Sequence, residues 1–215
     1  MGKGSDPLAA ADELTTPGEW LLFAEALYEK YELALGQITT SAHDEALYLI
    51  LHTLEIPLDS NPSVLDQKIT LQQRHALIEV FRRRVIDHTP AAYLTREAWL
   101  NDEKFYVDER VLIPRSYFLE LIPQLGAKAG FGDPALQLKG VTVTNVVDVC
   151  TGSGCLAILL AKHFPDAQVD GVDLSAEALE VAQINVQAHD LADRVTLHQS
   201  DVFDAVPLVK YDVIL

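Results

Sequence analysis

The chain has 215 residues, which bounds it at one or two domains, and 49% of them are hydrophobic, enough for a genuine core. Its formal charge of −16 argues against a nucleic-acid backbone as principal partner, since that polyanion is held chiefly by Lys and Arg. No run of about eighteen apolar residues offers a membrane span, and the first twenty residues lack the apolar stretch of a secretory signal.

The first part reads as helical. Thr16-Pro-Gly-Glu19 is a capping box with proline at the first helical position. Leu21, Leu22, Tyr28, Tyr31 and Leu35 follow at near-helical spacing until Gly36, the expected stop. Ser41 caps a second predicted helix carrying Leu47, Ile50, Leu51 and Leu54, which Pro57 ends. Thr70-Leu-Gln-Gln73 opens a third, with Leu71, Ile78, Phe81 and Val85 on one face. Its consecutive Arg82, Arg83 and Arg84 point in different helical directions, so a solvated face is expected rather than a basic patch. These helices make up a predicted domain over residues 1–97.

Residues 98–140 form a predicted hairpin and linker. AWLNDEKFYVDERV places aromatic and β-branched runs on either side of the polar Asn101–Lys104 stretch. A short connector helix is expected in VLIPRSYFLELIPQL, and the glycine-rich residues 126–140 read as a surface loop.

From Val141 the pattern alternates strand and helix, with eleven acids against three bases. Strands are expected at Val146–Val149, Gln168–Val172, Val195–Leu197 and Tyr211–Leu215, and helices over Cys155–His163 and from the Ser175 cap to about Ala188. This is the order of a doubly wound parallel α/β sheet, here its first half, residues 141–215. The two cysteines, Cys150 and Cys155, flank its glycine turn. With no Cys/His cluster to complete a zinc site, they read as two small buried thiols in a reducing cytoplasm, with no metal implied. The seven histidines show neither metal spacing nor a Ser/His/Asp set.

The glycine turn, Cys150-Thr-Gly-Ser-Gly-Cys155, follows a strand and opens a helix. A phosphate loop needs Gly-Lys-Ser/Thr at its end, and Gly154 is followed by Cys155. Gly152-x-Gly154-x-x-Ala157 does fit the dinucleotide fingerprint, with Asp173 as the acid of the next strand. Asp148, inside the first strand, decides between the remaining ligands. A carboxylate there repels a pyrophosphate and favours a cation. S-adenosylmethionine carries a sulfonium and an ammonium, has no phosphate, and offers ribose hydroxyls that Asp173 can accept. Asp201, after the third strand, can accept from the adenine amine while Val202 lies against the ring. Each acid alone reads as a cap or turn residue; three at successive strand ends, beside the glycine turn, favour S-adenosylmethionine over NAD.

The stretches AAYLTREAWLNDEKFYVDERVLIPRS, VVDVCTGSGCLAILLA, DGVDLS and QSDVF together resemble the bacterial protein-glutamine methyltransferases, which methylate the side-chain amide nitrogen of glutamine. The likeness spans about Thr16 to Leu215 and is specific in its second half. One branch of the family acts on release factors and typically reads Ile-Pro-Arg-Pro-Asp-Thr-Glu where this chain has Ile113-Pro114-Arg115-Ser116-Tyr117; its loop usually begins with glycine where this chain has Cys150. Pro114-Arg-Ser116 and Cys150–Cys155 look like the other branch, which acts on the third large-subunit ribosomal protein. The resemblance implies that Cys150, Thr151, Gly152, Ser153 and Gly154 form the cofactor loop, that Asp173 binds ribose, and that Asp201 and Val202 lie beside adenine. It also implies a protein substrate held by the helical domain; the charge and the absence of a long apolar run leave neither nucleic acid nor membrane as direct partner. Arg115 matches an arginine that serves either a salt bridge or the cofactor. The family's catalytic signature, Asn-Pro-Pro-Tyr, follows its fourth strand and is absent from these 215 residues. The expectation is therefore the cofactor half of a site in a fragment of a longer enzyme, with its fourth strand left as an apolar edge. Alternatives are a release-factor enzyme, a methyltransferase of another substrate, an inactive cofactor- or ribosome-binding module and, most remotely, a nicotinamide dehydrogenase.

Overall fold

The computed structural model describes residues 6–36, 38–125, 142–207 and 209–215; the loop expected over residues 126–140 lies outside them. Its contacts divide the chain into two compact units, Met1–Arg96 and Glu97–Leu215.

The first unit is helical. Helices α1 (Pro17–Lys30), α2 (Ala42–Thr53) and α3 (Leu71–Val85) begin at the expected caps, with reciprocal capping boxes at Thr16/Glu19 and Thr70/Gln73 and the Ser41 side chain accepting from the Asp44 amide. Two of their ends differ from expectation. α1 stops at Lys30, where Glu32 turns left-handed at φ 47°, well before Gly36; α2 stops at Thr53, where Glu55 does the same at φ 56°, ahead of Pro57. Acidic residues reverse the chain at both places, and the sequence offers no glycine there to announce it. The core stacks Trp20 on Phe81, with Leu49, Ile50 and Leu77 fully buried around them. Leu71, expected on the buried face of α3, is instead exposed at its first turn, and Leu77 faces the core.

The arginine run also departs from a solvated face. Arg82 pairs with Asp6 at the surface, but Arg84 is buried. Its Nε donates to Glu45 at 2.7 Å and its Nη2 to the Ala34 carbonyl at 2.8 Å. An ion pair this dry holds only because both partners are present and further hydrogen bonds satisfy them. A short helix α4 (Ala91–Thr95) closes the unit.

The second unit opens with a hairpin of β1 (Glu97–Leu100) and β2 (Glu103–Tyr106). Its turn is tighter than the expected four residues: Asn101 and Asp102 both have positive φ, the conformation of a two-residue turn matched to strand twist. Leu100 and Phe105 bury into the core of the α/β layer, and the connector helix α5 (Phe118–Leu121) runs on into a short 3-10 turn ending at Gln124.

Then come β3 (Asn145–Val149), α6 (Cys155–His163), β4 (Gln168–Asp173), α7 (Ala176–Ala188), β5 (Val195–Gln199) and β6 (Val213–Ile214). All pairings in this sheet are parallel, in the order β5-β4-β3-β6. β6 is shorter than the expected Tyr211–Leu215, although the Asp212 amide donates to the Asn145 carbonyl and Leu215 bonds with Val147 and Val149; the Asp212 carboxylate accepts from the Thr144 and Asn145 amides at the entry to β3. Val146, Val169, Val195 and Val213 point to the face packed with Ala157, Ile158 and Val186 of α6 and α7. Val147 and Val172 lie on the other face, under Val206 and Tyr211. The chain leaves β3 toward β4 and β5, then returns to β3's other side as β6. That reversal opens a crevice at the carboxyl ends of the strands, where open α/β sheets bind ligands.

Candidate functional site

The carboxyl end of β3 runs into the glycine turn. Within five residues Cys150, Gly152 and Gly154 take φ of 61°, 55° and 76°. Cys150 is the one that is not glycine, and its left-handed backbone explains why a glycine suits that position. It is exposed, which corrects the expectation of two buried thiols; Cys155 is buried, and burial pushes its thiol up to about 11, far from a reactive thiolate.

The two glycines answer different demands. A Cβ on Gly152 meets nothing nearer than the Cys150 carbonyl at 4.0 Å, so one side of the turn is open. A Cβ on Gly154 would lie 3.1 Å from the Ala182 Cβ, so there the pressure is close packing of α7. Gly171 of β4 has a related function: a Cβ there would meet Leu197 and Thr151, so its absence leaves room for the turn.

Asp148 is buried beneath the turn. Its Oδ2 accepts from the Thr151 hydroxyl at 2.6 Å and from the Ala157 amide at 3.1 Å. Ala157 is the third residue of α6, whose cap, Gly154, has no side chain to offer. Asp148 therefore does from β3 what a capping residue does locally, satisfying an amide the helix leaves unpaired. Burial pushes its carboxyl up to about 6, against the lowering effect of those two hydrogen bonds.

Asp173, half-buried at the end of β4, joins the turn to the next loop. Its Oδ2 accepts from the Gly152 amide at 2.8 Å and its Oδ1 from the Ser175 amide at 2.9 Å. Its own carbonyl accepts from the Ser200 amide at 3.0 Å, binding the end of β4 to the end of β5. Each carboxylate oxygen retains a lone pair for a further donor. Beyond Ser200, Asp201 and Val202 are exposed. Val202 has φ 49°, a genuine outlier for a β-branched residue, and such strain gathers at binding sites.

Thus Asp148, Cys150, Thr151, Gly152, Ser153, Gly154, Asp173, Asp201 and Val202 lie along one edge of the sheet; hydrogen bonds tie Asp148 to Thr151 and Asp173 to Gly152, and the Ser200 amide ties the loop of Asp201 and Val202 to the end of β4. Arg115 is exposed and forms no hydrogen bond or ion pair with a described residue. Sequence reasoning passed over Asn185 and Ser200, both buried polar groups on this edge. A polar, poorly helix-forming Asn among the apolar positions of α7 is the signal that was present for the first.

The Methyltransferase small domain family matches residues 135–215. Over most of its length the chain is also similar to curated proteins named ribosomal protein uL3 glutamine methyltransferase. It is 45% identical to the one from Neisseria gonorrhoeae over 96% of this chain and 66% of that protein. For Neisseria meningitidis serogroup A the identity is 46%, over 96% and 65%, and for Bordetella pertussis 44%, over 94% and 66%. The chain spans about two thirds of the length of these relatives. With such identity along nearly all of its residues, and a methyltransferase domain at its carboxyl end, the chain belongs to the protein-glutamine methyltransferase family.

Proposed function

We propose that the whole protein methylates a glutamine side-chain amide nitrogen in a large-subunit ribosomal protein, using S-adenosylmethionine in the cytoplasm, and that these 215 residues carry its cofactor half. The observation that carries the reading is the glycine turn linked through Asp173 to the Asp201–Val202 loop, at the edge where β3 parts from β4 and β6. The groups present fit the cofactor. Asp173 has lone pairs for ribose hydroxyls, Gly152 leaves its side open, and Val202 with Asp201 presents an apolar surface beside an acceptor for an adenine amine. Asp148 acts on the cofactor through the turn it organises and through its field. Bound there, S-adenosylmethionine supplies an electrophilic methyl group.

The acceptor, an amide nitrogen, is a poor nucleophile, so the enzyme must hold it in line and polarise its carbonyl. The acids of this edge are engaged in building the cofactor side. We therefore expect no turnover from residues 1–215, and turnover on one ribosomal-protein glutamine from a chain extended through an Asn-Pro-Pro-Tyr signature. A side-by-side assay with labelled cofactor, offering both the ribosomal protein and a release factor, tests this. Label on the release factor alone overturns the substrate; turnover by the 215 residues overturns the division of labour.

A further inference from the structure

Asn185 lies in the last turn of α7 (Ala176–Ala188) and is almost wholly buried. Its Nδ2 donates to the Ser153 carbonyl at 2.8 Å and to the Tyr106 carbonyl at 3.0 Å, while its Oδ1 accepts from the Tyr106 amide at 2.7 Å. The orientation of the carboxamide follows from its partners. Turned over, its oxygen would face two carbonyls and its amino group an N–H.

One side chain thus joins the glycine turn, at the residue between Gly152 and Gly154, to the end of hairpin strand β2. The hairpin side of this link is itself fastened. The Tyr106 hydroxyl donates to Asp108 at 3.0 Å, Arg110 forks onto Asp108, and Arg110 Nη1 reaches Glu180 of α7 at 2.7 Å. A turn with a left-handed residue on each side of Ser153 has many shapes open to it, and a fixed carbonyl at its centre selects one. Asn is a poor helix former, so α7 accepts it here at a cost that packing alone does not require.

We propose that Asn185 is a positioning residue of the cofactor site, holding the Gly152–Gly154 turn against the hairpin in the shape that receives S-adenosylmethionine. The inference rests on the reading of that turn as the cofactor loop. A purely structural Asn185 would support α7 without affecting the turn's affinity or its opening.

The test is Asn185→Asp, which keeps the size and the acceptor but, when ionised, sets a carboxylate against two carbonyls. S-adenosylhomocysteine affinity is measured by calorimetry and amide exchange at residues 152–155 by mass spectrometry, with Gln183→Ala, at an exposed position of α7, as control. At pH 8 the variant should bind at least tenfold more weakly and exchange at least tenfold faster at the turn. Both should recover in part at pH 5.5, where the introduced carboxyl, once protonated, donates again, while Gln183→Ala stays within about twofold of wild type. A folded Asn185→Asp with wild-type affinity and exchange overturns the proposal. If the variant does not fold, the wild-type NMR spectrum decides: the Asn185 side-chain amide signals should move on adding S-adenosylhomocysteine, those of Asn145 should not, and unmoved Asn185 signals overturn it. A wild-type chain that ignores S-adenosylhomocysteine overturns the cofactor reading and this role with it; exchange at the turn then still reports whether Asn185 holds it.

Discussion

Alanine at Gly152 and at Gly154 should have separable consequences, although only Ser153 stands between the two glycines. Both backbones are left-handed, at φ 55° and 76°, and each substitution forces a Cβ into that conformation at about 1–2 kcal/mol. At Gly152 little is added, because the new methyl has open space around it. At Gly154 the methyl meets Ala182 at 3.1 Å from its Cβ and 3.3 Å from its Cα. Backbone atoms of a packed helix cannot swing aside, so overpacking adds about 1–3 kcal/mol. Urea denaturation should therefore find Gly152→Ala destabilised by about 1–2 kcal/mol and Gly154→Ala by more, up to about 5 kcal/mol. Ligand binding should show the opposite order. Calorimetry with S-adenosylhomocysteine on folded protein should find Gly152→Ala impaired at least tenfold, since its methyl fills the open side of the turn. Gly152→Ala that folds and binds like wild type would mean that the open side is not where the ligand goes. Gly154→Ala as stable as Gly152→Ala would refute the packing argument.

Two further experiments probe buried charge. Asp148, with its carboxyl raised to about 6, is protonated more readily folded than unfolded, so its contribution favours folding below about pH 4 and is lost as pH rises through about 6. A carboxyl raised by about two pH units makes the ionised form cost about 3 kcal/mol, so Asp148→Asn should be more stable than wild type at pH 8 and no different at pH 4; urea melts at the two pH values check it, and a loss of stability at pH 8 contradicts it. In the helical unit, Arg84→Met should cost about 3–5 kcal/mol by leaving the Glu45 carboxylate buried alone, and Glu45→Leu with Arg84→Met should recover most of that. Thermal melts of the single and double variants measure it, and equal losses in both would refute the pairing argument.

What the sequence revealed about this fold depended on how local each signal was. Thr16, Ser41, Thr70 and Ser175 all cap helices where side chain and partner amide lie within three residues, and all were legible. So were α6 and α7, whose apolar spacing and flanking signals agree. The ends of α1 and α2 were not, because Glu32 and Glu55 take left-handed turns that their residue type does not favour. The burial of Arg84 was hidden for a different reason: its partner Glu45 lies 39 residues away on another helix. The candidate site divides in the same way. The glycine turn and the acids at the strand ends follow from motif and order. That Asp148 caps α6 from within β3, that Gly154 answers to Ala182, and that Asn185 reaches both Ser153 and Tyr106 are all consequences of packing between distant segments.

The central claim is that the edge formed by the glycine turn, Asp173 and the Asp201–Val202 loop receives S-adenosylmethionine rather than a dinucleotide. The most direct test is calorimetric titration of this chain with S-adenosylhomocysteine and with NAD, repeated on Asp173→Ala. S-adenosylhomocysteine should bind and NAD should not. Asp173→Ala should weaken S-adenosylhomocysteine by about 1–3 kcal/mol, the cost of leaving ribose hydroxyls without their acceptor. NAD binding more tightly than S-adenosylhomocysteine, or an Asp173→Ala variant that binds as wild type does, would contradict it.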